Sequence, residues 1–393
     1  MTRSAERSIL PALSPEEALH SAAVGEQIRA QIRAAGGAVT FDEFMETALY
    51  APGLGYYSAG SVKIGAGGDF VTAPEISGLF GQCIARQCEQ VLADTGGEIL
   101  EIGAGTGLLA VQVLEALGRR GRLPERYAIL EVSADLAQRQ RARLQALSPP
   151  LRERVVWLER LPETPVNGVI LANEVLDALP FHRFSIRAGA VRELLVALDG
   201  DAFVAREAPP SRELESAWES MLGELPAPLP NGYVSEICLR MAPWIAGISE
   251  HLARGLLLLF DYGLPRAHYY HPQRDDGTLR CHFKQRAHAD PFVHVGVQDI
   301  TAWVDFTRVA EAAIAAGLEV LGFATQAAFL LATGIEELAA QVEGTVAHAR
   351  IAGEARRLLM PGEMGEACKA IALGRGYDAA LEGFALQDLR RSL

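Results

Sequence analysis

The chain has 393 residues, of which 49% are hydrophobic and 22% are charged, and its formal net charge is −13. This length allows one large domain with an appendage or two domains, and the composition excludes a disordered chain. The negative charge, without any cluster of Lys and Arg interleaved with aromatic residues, argues against nucleic acid as a partner, whereas an acidic surface suits a basic partner.

The first 80 residues predict two helices followed by a long loop. Ser14 and Pro15 provide a cap and a first-turn residue for a helix over residues 16–35, and a second helix is predicted over residues 41–49. Residues 50–77 (YAPGLGYYSAGSVKIGAGGDFVTAPEIS) are rich in glycine and aromatic residues. Long ordered loops are usually functional, so this stretch is predicted to line the site.

From residue 98 the sequence alternates between apolar strands and helices. The strand patterns are EILEIG, YAILEV, VVWLE and GVILANE, and the intervening helices are predicted over residues 106–117 and 134–146. This alternation indicates a parallel sheet covered by helices on both faces. Residues 81–180 are therefore predicted to form a Rossmann-like core that binds a ligand.

An insertion and then a return to the sheet are predicted after residue 180. The phrases FHRFSIRAG, AVRELLVALDG and DAFVAREA predict short strands joined by glycine turns, so residues 181–235 are interpreted as a β insertion that forms a flap or second lobe. Residues 236–393 then supply a helix (236–253), the strand GLLLLFDYG, a His-rich loop (264–300), a helix (301–316), the strand LEVLGFATQ, helices over 326–358 and the strand CKAIALGRG. The last strand brings the predicted sheet to seven strands.

The cysteines and the first residues bear on where the protein works. The five cysteines are an odd, scattered set without a C-x-x-C pair, which favours free thiols in a reducing compartment. The N-terminal segment lacks the apolar core of a signal peptide, and the longest apolar run, residues 255–260, is too short to cross a bilayer. We expect a cytoplasmic protein that does not insert into membranes.

A glycine-rich turn follows the first strand of the alternating region. Gly103, Gly105 and Gly107 lie between this strand and the next helix, where glycines let a ligand lie against the backbone. Dinucleotide-binding folds use a similar turn, but their third glycine falls where this chain has Leu108. Glu101, just before the turn, would repel a pyrophosphate, yet it can hold the cationic methionine end of S-adenosylmethionine, directly or through a water. The charge therefore favours methyl transfer over hydride transfer.

The next three strands also end in residues that can line a ligand site. Glu131 can accept hydrogen bonds from ribose hydroxyls, Leu158 can flank the adenine, and Asn173 and Glu174 end the fourth strand. Because ligands of open α/β sheets sit beyond the carboxyl ends of the strands, these strand ends are predicted to converge on one crevice. The predicted cofactor-binding residues are Asp69, Phe70, Thr72, Glu101, Gly103, Ala104, Gly105, Gly107, Glu131, Leu158 and Asn173.

Phrases along nearly the whole chain resemble those of the MidA-like methyltransferases. They include YAPGLGYY (50–57), GDFVTAPEIS (68–77), EIGAGTG (101–107), NEVLDALPFHRF (173–184), YVSEI (233–237), FDYG (260–263), TLRCH (278–282), DITAWVDF (299–306), TQAAFLLATGI (325–335) and MPGEMGEACKA (360–370). The chain departs from the family pattern at Ala172 and at Cys368-Lys369-Ala370. These differences are typical of variation in packing and do not affect the resemblance.

The resemblance implies a class I, Rossmann-like α/β fold: a seven-stranded methyltransferase sheet with an N-terminal helical segment and a β insertion or second lobe. It implies S-adenosyl-L-methionine as cofactor, S-adenosyl-L-homocysteine as product, and a protein substrate. The family includes a mitochondrial complex I assembly protein that methylates an arginine of a core complex I subunit, so we expect a protein-arginine methyltransferase with a similar target. Family members outside mitochondria can serve other targets, and the sequence leaves a homodimer open.

Methyl transfer from a sulfonium is an in-line displacement, so holding the acceptor in place does most of the work. An arginine acceptor is always protonated, and carboxylates are needed to orient it and to take up a proton. Glu174 and Asp177 are the first candidates, with Asp69 and Asp261 next. The aromatic residues that can face a cation are Phe70, Tyr56, Tyr57 and Tyr262.

The loop over residues 264–300 contains five histidines, but their spacing matches no metal-binding motif and methyl transfer needs no metal. We therefore predict no metal site. The loop is predicted to cover the substrate, with His294 or Asp290 hydrogen-bonded to the acceptor. His294 completes the predicted catalytic set with Asn173, Glu174 and Asp177.

Three alternatives remain from the sequence. One is a methyltransferase for a small molecule. Another is a non-catalytic assembly factor for a respiratory complex, which binds S-adenosylmethionine as a structural ligand and holds a partner through the β insertion. The third is a dehydrogenase, which binding of NADH would support.

Overall fold

The computed structural model describes residues 10–59, 65, 68–69 and 71–393. They form two compact units. The first, here the two-sheet unit, comprises the described residues of Met1–Phe70 together with Asp177–Met241 and Pro265–Trp303. The second, here the central-sheet unit, comprises Val71–Leu176, Ala242–Leu264 and Val304–Leu393.

The strands in the described part of the chain are β1 (Ala38–Val39), β2 (Glu98–Ile102), β3 (Tyr127–Leu130), β4 (Val155–Leu158), β5 (Val166–Asn173), β6 (His182–Arg187), β7 (Ala190–Asp199), β8 (Ala202–Ala208), β9 (Val234–Ile237), β10 (Leu252–Leu264), β11 (Arg280–Phe283), β12 (Arg286–His288), β13 (Asp299–Thr301), β14 (Val304–Asp305), β15 (Glu319–Thr325) and β16 (Cys368–Arg375).

The α-helices in the same residues are α1 (Pro15–Ala34), α2 (Phe41–Tyr50), α3 (Ala73–Ile76), α4 (Gly78–Thr95), α5 (Leu108–Arg119), α6 (Ala134–Leu144), α7 (Pro149–Arg152), α8 (Arg212–Leu222), α9 (Met241–Ser249), α10 (Arg266–Tyr269), α11 (Phe306–Ala315), α12 (Gln326–Ala332), α13 (Ile335–Ala340), α14 (Thr345–Leu359) and α15 (Met364–Ala367). Short 3-10 helices cover Glu382–Phe384 and Arg390–Ser392.

The central-sheet unit is built on one mixed sheet with the strand order β15-β16-β10-β5-β2-β3-β4, to which β14 adds a short pairing with β10. The pairs from β10 to β4 are parallel, whereas β16 runs antiparallel between β10 and β15. The continuous run Leu256–Phe260 is buried, as expected for a central strand with both faces covered. This is the predicted seven-stranded α/β sheet.

Helices cover that sheet with apolar side chains. In α4, Leu79, Phe80, Cys83 and Ile84 recur at helical spacing and are buried, and each large side chain removed from water contributes about 1.5–3 kcal/mol. Phe260 of the central strand packs edge-on against Phe80, with ring centroids 5.4 Å apart. The core of this unit thus fixes the strand ends that carry the predicted site residues.

The two-sheet unit has a five-stranded antiparallel sheet (β1-β7-β6-β9, with β8 on β7) and a three-stranded sheet (β12-β11-β13) within its described residues. A capping box starts α1, because the Ser14 hydroxyl accepts from the Glu17 backbone N–H while the Glu17 carboxylate accepts from that of Ser14. Phe41 and Phe44 of α2 pack at 5.5 Å in the core. The strands β6, β7 and β8 are those predicted for the β insertion.

Several predicted boundaries shift for identifiable reasons. The helix predicted from residue 301 begins at Phe306, because Val304–Asp305 pairs with β10 and the Asp305 carboxylate caps the helix. The helix predicted over residues 236–253 spans Met241–Ser249, since Val234–Ile237 pairs with β6. The His-rich loop carries the strands β11 to β13. Across the described helices, none combines the length and apolar character that a membrane span requires.

Candidate active site

The glycine turn between β2 and α5 adopts the backbone that the sequence predicted. Gly103, Gly105 and Gly107 have φ angles of 68°, 52° and 76°, in the left-handed region that L-residues rarely occupy. Gly103 is exposed, and a Cβ there would lie 2.8 Å from the Val175 side chain. Ala104, which lies between Gly103 and Gly105, is buried. The turn therefore presents bare backbone, as a ligand lying along it would need.

Glu101 lies just before this turn and is buried inside the sheet. Its Oε2 accepts a hydrogen bond of 2.7 Å from the Tyr127 hydroxyl. Burial raises the pKa of Glu101 to about 7, the Tyr127 hydrogen bond opposes this rise, and the negative charge of Glu131 adds to it. A cation bound nearby would favour the ionised form, so the carboxylate suits the cationic end of a sulfonium ligand.

Glu131 follows β3 and has both carboxylate oxygens held. Oε1 accepts from the Ser133 backbone N–H at 2.8 Å, and Oε2 accepts from the Gln140 amide at 2.9 Å. The Glu131 backbone N–H also donates to the carbonyl oxygen of Leu158 at 3.2 Å. The structure thus brings together the two residues predicted to bind ribose and to flank adenine. Val132, 84% exposed beside them, adds apolar surface that the sequence reading did not single out.

The end of β5 carries Asn173 and Glu174. The backbone of Glu174 has a φ of 52°, unusual for a residue with a side chain, and its N–H donates to the Phe260 carbonyl at 2.8 Å. The Glu174 Oε1 accepts from the Ala73 backbone N–H at 3.2 Å and from the Asn173 amide at 3.3 Å. Thr72, which precedes Ala73, therefore lies in a segment that the structure brings to Glu174.

Asp261 in β10 holds the backbone that follows Glu174. Its side chain is buried, Oδ2 accepts from the backbone N–H groups of Val175 at 3.1 Å and Leu176 at 2.8 Å, and Oδ1 accepts from that of Tyr262 at 2.8 Å. These bonds hold the turn that follows Glu174. Asp261 thus acts as an anchor for the backbone beside a candidate catalytic residue.

Of the remaining predicted residues, Tyr262 belongs to the central-sheet unit and Phe70 lies outside the described residues. The others belong to the two-sheet unit: Tyr56, Tyr57, Asp69, Asp177, Asp290 and His294. Asp69 is buried and accepts from the Tyr56 hydroxyl at 2.8 Å and from the Lys284 backbone N–H at 2.6 Å, while burial raises its pKa. His294 has a φ of 50° and packs on the Phe283 ring at 4.7 Å. The Phe283–Lys284 segment therefore contacts both predicted residues.

Asp177 contributes to this unit through its backbone, because its carbonyl accepts from the Ala302 N–H at 3.1 Å. Nearby, the Tyr57 hydroxyl donates to the buried Asp299 carboxylate at 2.8 Å, and burial raises the pKa of Asp299 to about 7. Asp299 is not among the residues predicted from the sequence, although it follows a polar loop and opens the short strand β13. Asp290 is buried as well, and its carboxylate accepts from the Phe292 N–H at 3.0 Å.

The histidines of this unit are not grouped as metal ligands. Within the described residues, no three His, Cys, Asp or Glu side chains come together in a way that could hold a metal ion. Burial lowers the pKa of His282 to about 4, which keeps its imidazole neutral at physiological pH.

The strand order, the left-handed glycine turn and the held carboxylate after β3 define an α/β protein of the class I methyltransferase type, with a site for a nucleoside-bearing methyl donor. Residues 83–324 match the family of S-adenosyl-L-methionine-dependent methyltransferases, and the chain belongs to this family. Its enzyme class and its cofactor, S-adenosyl-L-methionine, are as predicted, and methyl transfer is confirmed over hydride transfer.

Named relatives and a solved structure are similar over most of the chain. The mitochondrial protein arginine methyltransferase NDUFAF7 homologue of Drosophila melanogaster is 30% identical over 91% of this chain and 86% of its own length. That of Danio rerio is 29% identical over 77% and 74%. A Burkholderia thailandensis protein crystallised with S-adenosyl-homocysteine is 41% identical, with a TM-score of 0.93 over 98% of this chain and 100% of that one.

Proposed function

We propose that this protein transfers a methyl group from S-adenosyl-L-methionine to an arginine side chain of a partner protein. The observation that carries the proposal is that relatives similar over most of their own length are named protein arginine methyltransferases. The held Glu174 carboxylate at the end of β5 supports it, because a guanidinium acceptor needs an acidic group to orient it.

Methylation of an arginine requires a base beside the guanidinium. When bound, the cofactor would supply a methyl group carried on a sulfonium, and its sulfur would leave as a neutral thioether. The acceptor nitrogen forms its bond to the methyl carbon as the carbon–sulfur bond breaks, and one N–H proton must leave, because the guanidinium is protonated at the start. We assign that proton to the Glu174 carboxylate, which passes it to solvent. Donation from Ala73 and Asn173 fixes the orientation of this carboxylate.

The finer assignments are proposals of the same kind. The resemblance in sequence suggests an arginine of a respiratory complex I core subunit or its counterpart as the target. The compartment is proposed to be the cytoplasm, on the basis of the free cysteines, whereas the names of the relatives place those proteins in mitochondria. A protein substrate also fits the net charge of −13, which favours a basic partner.

The proposal is tested with S-adenosylmethionine that carries a deuterated methyl group. The purified protein is incubated with an extract of cells that lack it, and the polypeptides and metabolites are analysed separately by mass spectrometry. The expected result is a deuteriomethyl group on an arginine. Label in metabolites alone would support the small-molecule alternative, and cofactor binding without any transfer would support the assembly-factor alternative.

The matched variants are Glu174→Gln and, as a control, Glu213→Gln, which changes an exposed residue of α8. Glu174→Gln keeps the shape of the side chain but removes its basicity, so transfer is expected to fall by about 100-fold or more with cofactor binding retained. Glu213→Gln should methylate like the wild type. Full transfer by Glu174→Gln would contradict the assignment of Glu174.

A further inference from the structure

Gln140 of α6 is completely buried, and its amide reaches three separate parts of the central-sheet unit. Its Nε2 donates to the carbonyl oxygen of Gly105 at 3.0 Å and to Oε2 of Glu131 at 2.9 Å, and its Oε1 accepts from the Trp157 indole N–H at 3.0 Å. These partners belong to the glycine turn, the segment after β3, and β4. One side chain thus connects three neighbouring strand ends.

The chemistry of the partners leaves one arrangement for this amide. An indole N–H can only donate, so it selects the amide oxygen, and the two amide hydrogens are then directed to the two acceptors. Glutamine also supplies these hydrogens without placing a positive charge beside the Glu131 carboxylate, as a lysine or arginine would. Gly107 leaves room for the contact, because a Cβ at that position would lie 3.2 Å from Gln140 Cγ.

We propose that Gln140 is a positioning residue for the cofactor: it fixes the Glu131 carboxylate and the Gly105 carbonyl in one mutual geometry, which lets Glu131 accept from the ribose hydroxyls. The inference rests on the role assigned to Glu131 in the proposed site. It does not depend on which acceptor is methylated. Gln140 itself acts through Glu131 and the turn and is not assigned contact with the cofactor.

The test measures the affinity of the full-length protein for S-adenosylhomocysteine and for its 2′-deoxy and 3′-deoxy analogues by calorimetry. In the wild type, loss of a ribose hydroxyl is expected to weaken binding by about 10- to 100-fold. Gln140→Leu removes the amide but keeps similar volume. It is expected to weaken binding of the parent ligand about 10-fold or more and to reduce the penalty of the deoxy analogues to about 3-fold or less.

The reduced penalty separates positioning from general loss of structure, because a merely weakened fold would lower all three affinities by the same factor. Gln138→Leu, at an exposed position of the same helix, is the matched control and should behave like the wild type. Gln140→Glu is the second variant. Its introduced carboxyl can donate to Glu131 only when protonated, so its affinity relative to that of Gln140→Leu at the same pH is expected to rise as the pH is lowered from 8 to 5.5; the comparison cancels the protonation of Glu101, which affects both variants. An unchanged ratio of the two affinities would contradict the proposal.

Glu131→Gln distinguishes the possible failures. One outcome is that Glu131→Gln binds S-adenosylhomocysteine more weakly and no longer distinguishes it from the deoxy analogues, while Gln140→Leu distinguishes them as the wild type does. That outcome would support Glu131 as the ribose-binding residue and overturn the positioning role of Gln140. If Glu131→Gln binds all three ligands like the wild type, the assignment of Glu131 fails and takes the inference with it. Neither result bears on arginine as the acceptor, which the mass-spectrometric experiment tests separately.

Discussion

The Asp261 side chain anchors the turn after β5, and its replacement by asparagine exchanges one carboxylate oxygen for an amide nitrogen. The carboxylate accepts three backbone N–H groups, from Val175 and Leu176 on Oδ2 and from Tyr262 on Oδ1. In Asp261→Asn the amide oxygen can still serve Val175 and Leu176, but without the charge, and the amide nitrogen then faces the Tyr262 N–H. The weakened bonds and one buried donor without a partner together predict a loss of about 2–4 kcal/mol in the free energy of unfolding.

Urea denaturation at pH 7 measures this loss as a lower midpoint with an unchanged m-value. Methyl transfer is expected to fall at least about 10-fold as well, since small displacements of a catalytic group are costly and Glu174 enters the same turn. Asp378→Asn, an exposed position of the same unit, is the control and should stay within about 0.5 kcal/mol of the wild type. An Asp261→Asn variant as stable and active as the wild type would refute the anchoring role.

Three further changes test other parts of the structure. Burial raises the pKa of Glu101 from 4.5 to about 7, so the native state holds this proton more tightly than the unfolded chain. Glu101 alone should lower stability without ligand by up to about 3 kcal/mol as the pH rises from 4.5 through 7, and Glu101→Gln should remove that share of the slope in denaturation curves while the share from the raised pKa of Asp299 remains. Gly105→Val should abolish cofactor binding in calorimetry while costing about 1–2 kcal/mol of stability, because its φ is 52°; near-normal affinity would show that the cofactor lies elsewhere. Phe260→Ala should cost about 3–5 kcal/mol in urea denaturation, since the ring packs on Phe80 and Phe329, and a cost below 1 kcal/mol would contradict this packing.

The sequence predicted the parts of the fold that repeat in a simple way. The apolar strands from residue 98 onward alternate with helices, and the seven strand patterns all became strands of one sheet. Helix α4 was missed even though Leu79, Phe80, Cys83, Ile84 and Val91 follow helical spacing, because its polar positions and two glycines obscured the pattern. The strands β11 to β13 were missed because each has only three or four residues.

The site could be predicted only where residues lie at strand ends. Glu131 and Glu174 follow apolar strands, so the topology alone places them at one edge of the sheet. Gln140 gave no such signal, because Glu131 and Gly105 lie 9 and 35 residues away from it in sequence. Asp261 was predicted as a candidate site residue, but its anchoring role was not, because Leu176 and Val175 lie 85 and 86 residues away. Which backbone N–H or carbonyl group they meet depends on the register between strands and on helix packing, and local sequence does not encode either.

Calorimetric titration of the wild-type protein with S-adenosyl-L-homocysteine and, separately, with NADH tests the central claim most directly. A class I methyltransferase site predicts binding of S-adenosyl-L-homocysteine with a Kd of about 1–10 μM and no detectable heat from NADH. Binding of NADH without binding of S-adenosyl-L-homocysteine would contradict the account.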